Sequence, residues 1–371
     1  MKFSCEKSLL QNAIAIASRA ASIKSAVPSL EGLLIEAQED VKISGYDLKT
    51  GIRTSLSADV IQPGEIVLNA RLFGEIIRKM SDDIVTISVD DHCSTKIECG
   101  MSNFEILGIP ASDYPELPTV DFQNSMEVKE KTLKAMIAQT NFAVSDNEIR
   151  PIHTGSLFEM ENGILTIVSV DGYRLALRRE KLEKAEAENC SFVVPGTALA
   201  EVEKIASENE NLVKITLGSK HIMFSIGNTI LISRRLVGEF LNYKNSIPKS
   251  GKYEILADRR EVINVIERVS LIINDKLKSP VRCTFEDGTL KVVSVTALGR
   301  ANDECEVAGD GEGLEIGFNN RYILEALKAA PAEQIKMLLS TSVSPCIVVP
   351  ADEKDHFLYM ILPVRLKANE G

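Results

Sequence analysis

The stretch "GSLFEMENGILTIVSVDG" at residues 155–172 decides the fold, because it reads as two strands joined by a tight turn. Apolar and polar residues alternate on both sides of an Asn-containing turn, which is the signal of a β-hairpin. The same pattern occurs as "GLLIEAQEDVKISGYD" at 32–47 and as "VRCTFEDGTLKVVSVT" at 281–296. The sequence therefore predicts the same hairpin at three places in the chain.

A second repeated block predicts a strand followed by a helix. Its copies are "EIVLNARLFGEIIRKM" at 65–80, "SFVVPGTALAEVEKIA" at 191–206 and "LEIGFNNRYILEALKAA" at 314–330. In the first copy, five apolar residues recur with the 3.6-residue period of a helix: Leu72, Phe73, Ile76, Ile77 and Met80.

The ends of these helices carry their own signals. Asn69, Thr197 and either Asn319 or Asn320 are predicted N-caps, because their side chains can accept a hydrogen bond from the first helical turn. Pro331 is expected to stop the helix of the third copy.

A third type of helix opens each copy, at residues 8–21, 131–144 and 259–274. Equivalent elements recur roughly 124 residues apart, which indicates a tandem repeat. Segments rich in proline and other turn formers, at 110–122 and 243–253, mark the boundaries. We therefore predict an α+β fold of three domains, each an antiparallel sheet with two helices on one face. The predicted domains are 1–121, 122–249 and 250–371.

The composition is that of a globular protein, with 371 residues of which 44% are hydrophobic. No apolar stretch approaches the roughly 20 residues that span a bilayer. A run from Leu9 to Ala17 loosely imitates a secretory signal, but Gln11 and Asn12 interrupt it and a helix face explains it better. The net charge of −11 argues against an ordinary DNA-binding domain, although an acidic exterior with a locally basic surface remains compatible with it.

No motif of reaction chemistry is present. The seven cysteines lack Cys-x-x-Cys spacing and the four histidines lack zinc-ligand spacing, which predicts reduced thiols, a cytoplasmic protein and no metal or other cofactor. "PKSGKY" at 248–253 lacks the residues of a phosphate loop, and "GDGEG" at 309–313 is too acidic for one. Asp171 is the one tempting carboxylate, but Asp47 occupies the same place in the first repeat, which favours a turn role for both.

At "SVDGYRLAL" (169–177) and "LPVRL" (362–366) the sequence resembles the bacterial DNA polymerase III beta subunit, the beta sliding clamp. The resemblance covers the whole chain, and the two motifs together are specific. It implies a non-enzymatic, head-to-tail homodimer in which six clamp units close a ring, with sheets outside and helices inside. Such a ring encircles duplex DNA without sequence specificity, needs a separate ATP-driven loader, and works on the nucleoid in the cytoplasm.

The resemblance also implies which surfaces meet DNA. Lys24, Arg71 and Arg150 match basic residues of the family, and the helices add further candidates: Arg78, Lys79, Lys131, Lys134 and Arg268. Each is equally well explained as a solvated surface charge. Gly196 and Thr197 stand where relatives often have basic residues, which weakens the expected contact there.

Relatives bind a linear motif of the type Gln-Leu-x-Leu-Phe, carried by polymerases, clamp loaders and repair proteins. The matching pocket residues are Val170, Gly172, Tyr173, Arg174, Leu175, Met360, Ile361, Leu362, Pro363, Val364, Arg365 and Leu366. His153, Leu241 and Asn245 depart from the family pattern at the same pocket, and His153 adds mild pH sensitivity. From the residues alone, "LYMILPVRL" is also explained as a buried last strand.

The expected dimer contact joins the first domain to the third domain of a partner. Phe104 and Ile106 resemble residues that meet Leu271 and Ile272, and Lys96 is expected to face acidic residues of the partner. Those acidic residues are Asp303, Glu304 and Glu306.

Two rival functions remain open. An enzyme would use Asp171, Tyr173 and Arg174 and would lose turnover on Asp171→Asn. A monomeric, repeat-built binding scaffold would never encircle DNA, and native mass separates it from a clamp.

Overall fold

The computed structural model describes residues 1–81, 83–182, 189–274, 279–352 and 356–366. Within these ranges the helices are α1 (Lys7–Ala17), α2 (Ala70–Lys79), α3 (Glu130–Ala138), α4 (Gly196–Ile205), α5 (Tyr243–Ser246), α6 (Arg259–Ser270) and α7 (Asn320–Ala329). Short 3-10 helices lie at Ser18–Ala20, Pro28–Glu31, Ala111–Asp113, Asn141–Ala143 and Pro151–Thr154.

The strands of the first third of the chain are β1 (Lys2–Glu6), β2 (Gly32–Ala37), β3 (Val41–Tyr46), β4 (Thr50–Leu56), β5 (Asp59–Gln62), β6 (Gly64–Asn69), β7 (Ile84–Val89), β8 (Ser94–Cys99) and β9 (Ser102–Leu107). The middle third has β10 (Asn124–Lys129), β11 (Gly155–Glu161), β12 (Ile164–Val170), β13 (Arg174–Lys181), β14 (Cys190–Pro195), β15 (Leu212–Leu217), β16 (His221–Ile226) and β17 (Thr229–Arg234). The last third has β18 (Tyr253–Asp258), β19 (Val281–Glu286), β20 (Thr289–Thr296), β21 (Gly299–Glu306), β22 (Leu314–Phe318), β23 (Gln334–Leu339), β24 (Cys346–Pro350) and β25 (Phe357–Ile361).

The three predicted hairpins are confirmed as β2–β3, β11–β12 and β19–β20, each antiparallel. Two of them turn on residue pairs with positive φ: Asn162 (51°) with Gly163 (77°), and Asp287 (49°) with Gly288 (71°). Two positive φ values in a row give a turn whose twist matches that of the flanking strands, and Asn, Asp and Gly tolerate this geometry best.

The predicted strand–helix blocks are also confirmed, with corrections at the helix ends. Asn69 and Asn319 are N-caps, and their Oδ1 atoms accept hydrogen bonds from the backbone N–H groups of Leu72 and Arg321 at 3.0 Å. Thr197 is not an N-cap, because α4 begins one residue earlier at Gly196.

The opening helices are shorter than predicted. α1 ends at Ala17 and α3 at Ala138, and a 3-10 turn follows each of them, while α6 ends at Ser270. Ala20 and Ala143 in the 3-10 turns are buried, so apolar periodicity continues beyond the last α-helical residue.

The chain folds as two compact units. One comprises Met1–Lys134 with Ala200–Arg235, and the other comprises Ala135–Leu199 with Leu236–Gly371. Each unit contains one eight-stranded antiparallel sheet, ordered β10-β15-β16-β17-β4-β3-β2-β6 in the first and β14-β11-β12-β13-β25-β24-β23-β18 in the second. The middle repeat is divided between the units because it gives four strands to each of these sheets.

A smaller sheet completes each unit: β5-β1-β7-β8-β9 in the first and β21-β20-β19-β22 in the second. In the second unit, apolar clusters cover both faces of the eight-stranded sheet. Ala176 and Tyr359 belong to the cluster that packs against α6 and α7, whereas Leu175 and Met360 belong to the cluster on the opposite face. Among the described residues, no helix is long and apolar enough to cross a bilayer.

Candidate functional site

An apolar floor lies on one face of the eight-stranded sheet of the second unit. β13 pairs with β25 so that Leu175 lies opposite Met360 and Leu177 opposite Leu358. Because side chains alternate along a strand, these residues share one face, where they pack with Val170 in a single apolar cluster.

The wall of this site comes from the segment after β17. Phe240 and Ile247 pack against the apolar cluster, and the rings of Phe240 and His153 meet edge-on with centroids 5.5 Å apart. The Tyr243 hydroxyl donates a hydrogen bond to Glu159 Oε2 at 2.5 Å and anchors the segment. Burial, and then this hydrogen bond, raise the pKa of Tyr243 above its ordinary value, so its hydroxyl keeps its proton.

A cavity of about 670 Å³ opens between this wall and the floor. Its apolar lining includes Leu177, Ile247, Val349 and Leu358. A cavity of this size and character accepts a few apolar side chains of a peptide. Leu241, in the wall segment, keeps 42% of its surface exposed, so apolar area remains available there.

Arg174 points to the opposite face of the sheet and is enclosed there. Its Nε donates to Asp171 Oδ2 at 2.9 Å, its Nη2 donates to the carbonyl oxygen of Phe142 at 2.6 Å, and its Nη1 donates to Glu325. The guanidinium also stacks 4.5 Å from the centroid of the Tyr322 ring. With 4% of its side chain exposed, Arg174 is a buried tie between the second and third repeats rather than an open ligand group.

Asp171 shapes the turn that leads into β13. Its Oδ1 accepts the backbone N–H of Tyr173 at 2.9 Å and of Arg174 at 3.0 Å. Asp47 makes the same bonds in the first repeat, to the N–H of Lys49 at 2.8 Å and of Thr50 at 2.6 Å. The predicted turn role of both aspartates is confirmed.

The last predicted pocket residues divide between several places. β25 ends at Ile361, which faces the α6–α7 side with Arg174. The backbone N–H of Leu362 donates to the carbonyl of Tyr173 at 2.9 Å, and that of Val364 donates to the carbonyl of Gly317 at 2.8 Å.

The C-terminal segment therefore runs against β22. A Cβ at Gly317 would lie 2.6 Å from the carbonyl oxygen of Val364, so glycine is needed for this close approach of two backbones. Pro363 is half-buried and Arg365 is exposed beside this segment.

Two further predicted pocket positions, Gly172 and Asn245, are exposed. Gly172 has a φ of 92° and open space around it, and Asn245 is exposed in the short helix α5. The pKa of His153 is lowered by burial and then by the charge of Arg150, so its imidazole is neutral at neutral pH.

The predicted DNA-facing residues fall into two groups. Lys24, Arg78, Lys79 and Arg150 are exposed. The others are held by carboxylates of the same chain: Arg71 by Glu75, Lys131 by Glu210, Lys134 by Glu208 and Arg268 by Asp303.

Phe104, Ile106 and the three acidic dimer residues lie on two edge strands, β9 and β21, whereas Lys96 lies on β8 and Leu271 and Ile272 follow α6. Phe104 on β9 is 41% exposed, and Ile106 is half-buried on the same strand. β21 carries Asp303, Glu304 and Glu306, and the end of α6 is followed by Leu271, which is 84% exposed, and the half-buried Ile272.

Ion pairs within the chain change one expectation at these edges. Lys96 pairs with Glu98 at 2.6 Å, and Asp303 is taken by Arg268. Lys96 and Asp303 therefore already have ion-pair partners within their own chain before a dimer forms.

Sequence reasoning missed the groups that enclose Arg174. Glu325 is 151 residues away from Arg174 in the chain. Phe142 accepts a hydrogen bond from Arg174 through its backbone carbonyl, which no pattern of side chains predicts. Within the described part of the chain, no group of three or more His, Cys, Asp or Glu side chains is placed to hold a metal ion.

Family models match all three repeats of the chain. Models of the N-terminal, central and C-terminal domains of the DNA polymerase III beta subunit match residues 1–118, 127–242 and 244–365. The chain belongs to the DNA polymerase III beta subunit family.

Relatives match it over nearly their full length. The beta sliding clamp of Halalkalibacterium halodurans is 33% identical over 379 residues, which cover 98% of this chain and 100% of the relative. The crystal structure of the DNA polymerase sliding clamp from Bacillus subtilis has a TM-score of 0.94 at 30% identity, covering 99% of this chain and 100% of that one. The beta subunit from Streptococcus pyogenes gives 0.94 at 26% identity with the same coverage.

These matches confirm the predicted α+β fold of three clamp domains in tandem. The boundaries 1–121, 122–249 and 250–371 stay a prediction. The central family domain spans both compact units, in agreement with a middle repeat that gives strands to two sheets.

Proposed function

We propose that two copies of this chain close into a sliding clamp that encircles duplex DNA without reading its sequence. The clamp tethers replicative and repair polymerases to the DNA through a short linear-motif pocket, which confers processivity, and it has no catalytic step of its own. A separate ATP-driven loader opens it. The observation that carries this proposal is a pair of complementary strand edges, β9 and β21.

The chain uses one kind of strand joint twice. β17 pairs with β4, and β13 pairs with β25. In the first repeat, β9 is equivalent to β17 of the second repeat and β25 of the third, because each is the last strand of its repeat and follows a hairpin. In the third repeat, β21 is equivalent to β4 of the first repeat and β13 of the second. Among the described strands, β9 and β21 are both sheet edges, so a second copy can repeat the joint.

The internal joints also supply the register. Leu231 lies opposite Ile52, and Tyr359 lies opposite Ala176. The equivalent residues are Phe104 on β9 and Ala301 on β21. Phe104 follows its hairpin turn at the same distance as Leu231 follows its own. Ala301 pairs with Ser294 as Ala176 pairs with Ser169. This supports a joint with Phe104 opposite Ala301 of the second copy.

One step along the strand, the same register brings Glu105 opposite Arg300. Glu105 accepts a hydrogen bond from the Ser94 hydroxyl at 2.7 Å, whereas Lys96 across the hairpin pairs with Glu98. The joint would therefore give Glu105 a cationic partner in Arg300, which favours this pairing over a register slipped by one residue.

Native mass tests the proposal. Light scattering at micromolar concentration is expected to give twice the chain mass of 40.7 kDa, because three clamp units cannot close around DNA. A strict monomer would leave a repeat-built binding scaffold and would contradict the clamp.

The apolar floor is proposed to bind the Gln-Leu-x-Leu-Phe type of motif. Leu177, Val349 and Leu358 line the cavity that would take the Leu-Phe pair. Val170, Leu175 and Met360 are buried in the same apolar cluster, where the flexible Met360 side chain allows the floor to adapt to different partners. Arg174 supports this floor from behind by fixing the start of β13.

The substitution Leu241→Asp is expected to weaken binding of a labelled Gln-Leu-x-Leu-Phe peptide about tenfold, because it removes an apolar wall contact and adds a charge. Fluorescence anisotropy gives the dissociation constant. Val343→Asp is the control, since Val343 is 68% exposed in the same unit and is no part of the proposed pocket. Equal affinities of the two variants would contradict the assigned wall.

A further inference from the structure

The three lysines at the start of α3 are already neutralised by a loop of the same unit. Lys129 lies 3.2 Å from Glu210, Lys131 pairs with the same carboxylate, and Lys134 lies 3.2 Å from Glu208. We call these five residues the lysine–glutamate patch. The hydrogen bonds from Lys131 and then Lys129 hold the pKa of Glu210 below its ordinary value, so the carboxylate stays charged.

The loop that carries the two glutamates is fixed to the helix start by its backbone. The N–H groups of Glu130 and Lys131 donate to the carbonyls of Asn211 at 2.8 Å and Asn209 at 3.1 Å. Ser207 N–H donates to Glu130 Oε2 at 2.8 Å, and Glu130 is buried. Glu208 and Glu210 are therefore held within reach of the lysines by the fold.

The neighbouring cations are occupied in the same way. Glu201 on α4 accepts hydrogen bonds from Arg19 at 3.2 Å and from Lys204 at 2.7 Å. By contrast, Arg78 and Lys79 on α2 are exposed, and Glu75 is the one acidic residue of that helix. Positive charge in this unit is thus available on α2 and masked on α3 and α4.

We propose that Glu208 and Glu210 compete with DNA phosphates for the three lysines and so weaken the hold of the clamp on duplex DNA. This inference rests on the proposed clamp function. A lysine of the patch can contact a phosphate only by breaking its ion pair with glutamate. Exchanging one anion for another therefore adds little to the free energy of DNA binding. A lysine–glutamate pair also displaces few of the cations condensed on the DNA, because the pair carries no net charge. The result is a clamp that holds DNA weakly at the second repeat and slides easily over it.

The test compares three variants with the wild type. E208Q/E210Q removes the competing charges while keeping side-chain size. E39Q/E116Q makes the same change of net charge at two exposed glutamates far from the patch in sequence. K131Q/K134Q is added to E208Q/E210Q to remove two of the three freed cations and restore the net charge of the patch. Elution from immobilised heparin reports access to the cations, and binding to nicked circular duplex DNA at several salt concentrations reports the clamp function.

We expect E208Q/E210Q to elute at higher salt than E39Q/E116Q. It should also bind duplex DNA about fivefold more tightly at low salt, with a salt slope steeper by about two. The added lysine substitutions should abolish both gains. Elution of E208Q/E210Q together with E39Q/E116Q would overturn the inference whatever the DNA measurement gives. Later elution with no duplex binding by any form would support the masking of the lysines and overturn the clamp instead.

Discussion

Replacement of Arg174 by alanine is expected to lower the free energy of unfolding of the second unit by about 3 kcal/mol. The substitution leaves the Asp171 and Glu325 carboxylates without the cation between them and leaves the Phe142 carbonyl without its donor. Removal of one member of a buried ion pair costs more than the pair contributes, because the remaining charge stays poorly solvated. Denaturant titration followed by circular dichroism measures the change.

Arg321→Ala is the matched control. Arg321 donates to the same Glu325 at 2.8 Å, but 66% of its side chain is exposed, so its loss should cost less than about 1 kcal/mol. If both variants lose the same stability, Arg174 is not the tie that its burial indicates.

The effect of Arg174→Ala should also depend on pH. Burial alone would raise the pKa of Glu325, but hydrogen bonds from Arg321 and Arg174 outweigh burial and hold the pKa below its ordinary value. A carboxyl whose pKa is lowered by folding stabilises the fold above its unfolded pKa, and this contribution is lost as pH falls through the folded pKa. The difference between wild type and variant should therefore narrow below about pH 4.

The substitution Phe104→Asp is expected to convert the dimer to monomers at micromolar concentration. Phe104 is 41% exposed in the single chain, whereas its equivalents Leu231 and Tyr359 are fully buried by the strands they pair with. A carboxylate at that position would be buried in the dimer contact without a partner, which costs about 3 kcal/mol of association free energy for each contact. Because a closed dimer contains the contact twice, the dissociation constant should rise by about four orders of magnitude. Sedimentation equilibrium gives this constant.

Ile61→Asp is the control for Phe104→Asp. Ile61 lies on β5, at the other edge of the same sheet, and is 59% exposed. The Ile61→Asp protein should remain a dimer. If Phe104→Asp also remains a dimer, the joint through β9 is wrong.

Local sequence patterns predicted the elements well and their ends less well. Asn162 with Gly163 and Asp287 with Gly288 occupy the hairpin turns, and Asn69 and Asn319 cap their helices. The predictions for α1 and α3 ran too far, because buried residues in the following 3-10 turns continue the apolar period.

The candidate site was predicted in part. The resemblance brought Val170, Leu175 and Met360 together, and they share one apolar cluster. Arg174 was assigned to the same pocket, yet strand alternation requires it to face away from Leu175, and the structure encloses it there with Glu325.

The sequence by itself determined the hairpins, the caps, the threefold repeat and the family, because turn chemistry and apolar periodicity act between residues close in the chain. Only the tertiary structure decided which charges are available. Arg174 forms an ion pair with Glu325, Lys131 with Glu210, and Lys134 with Glu208. These partners are distant in sequence and meet only after the sheets and helices pack, so the charge that a partner or a DNA phosphate encounters is a property of the folded chain.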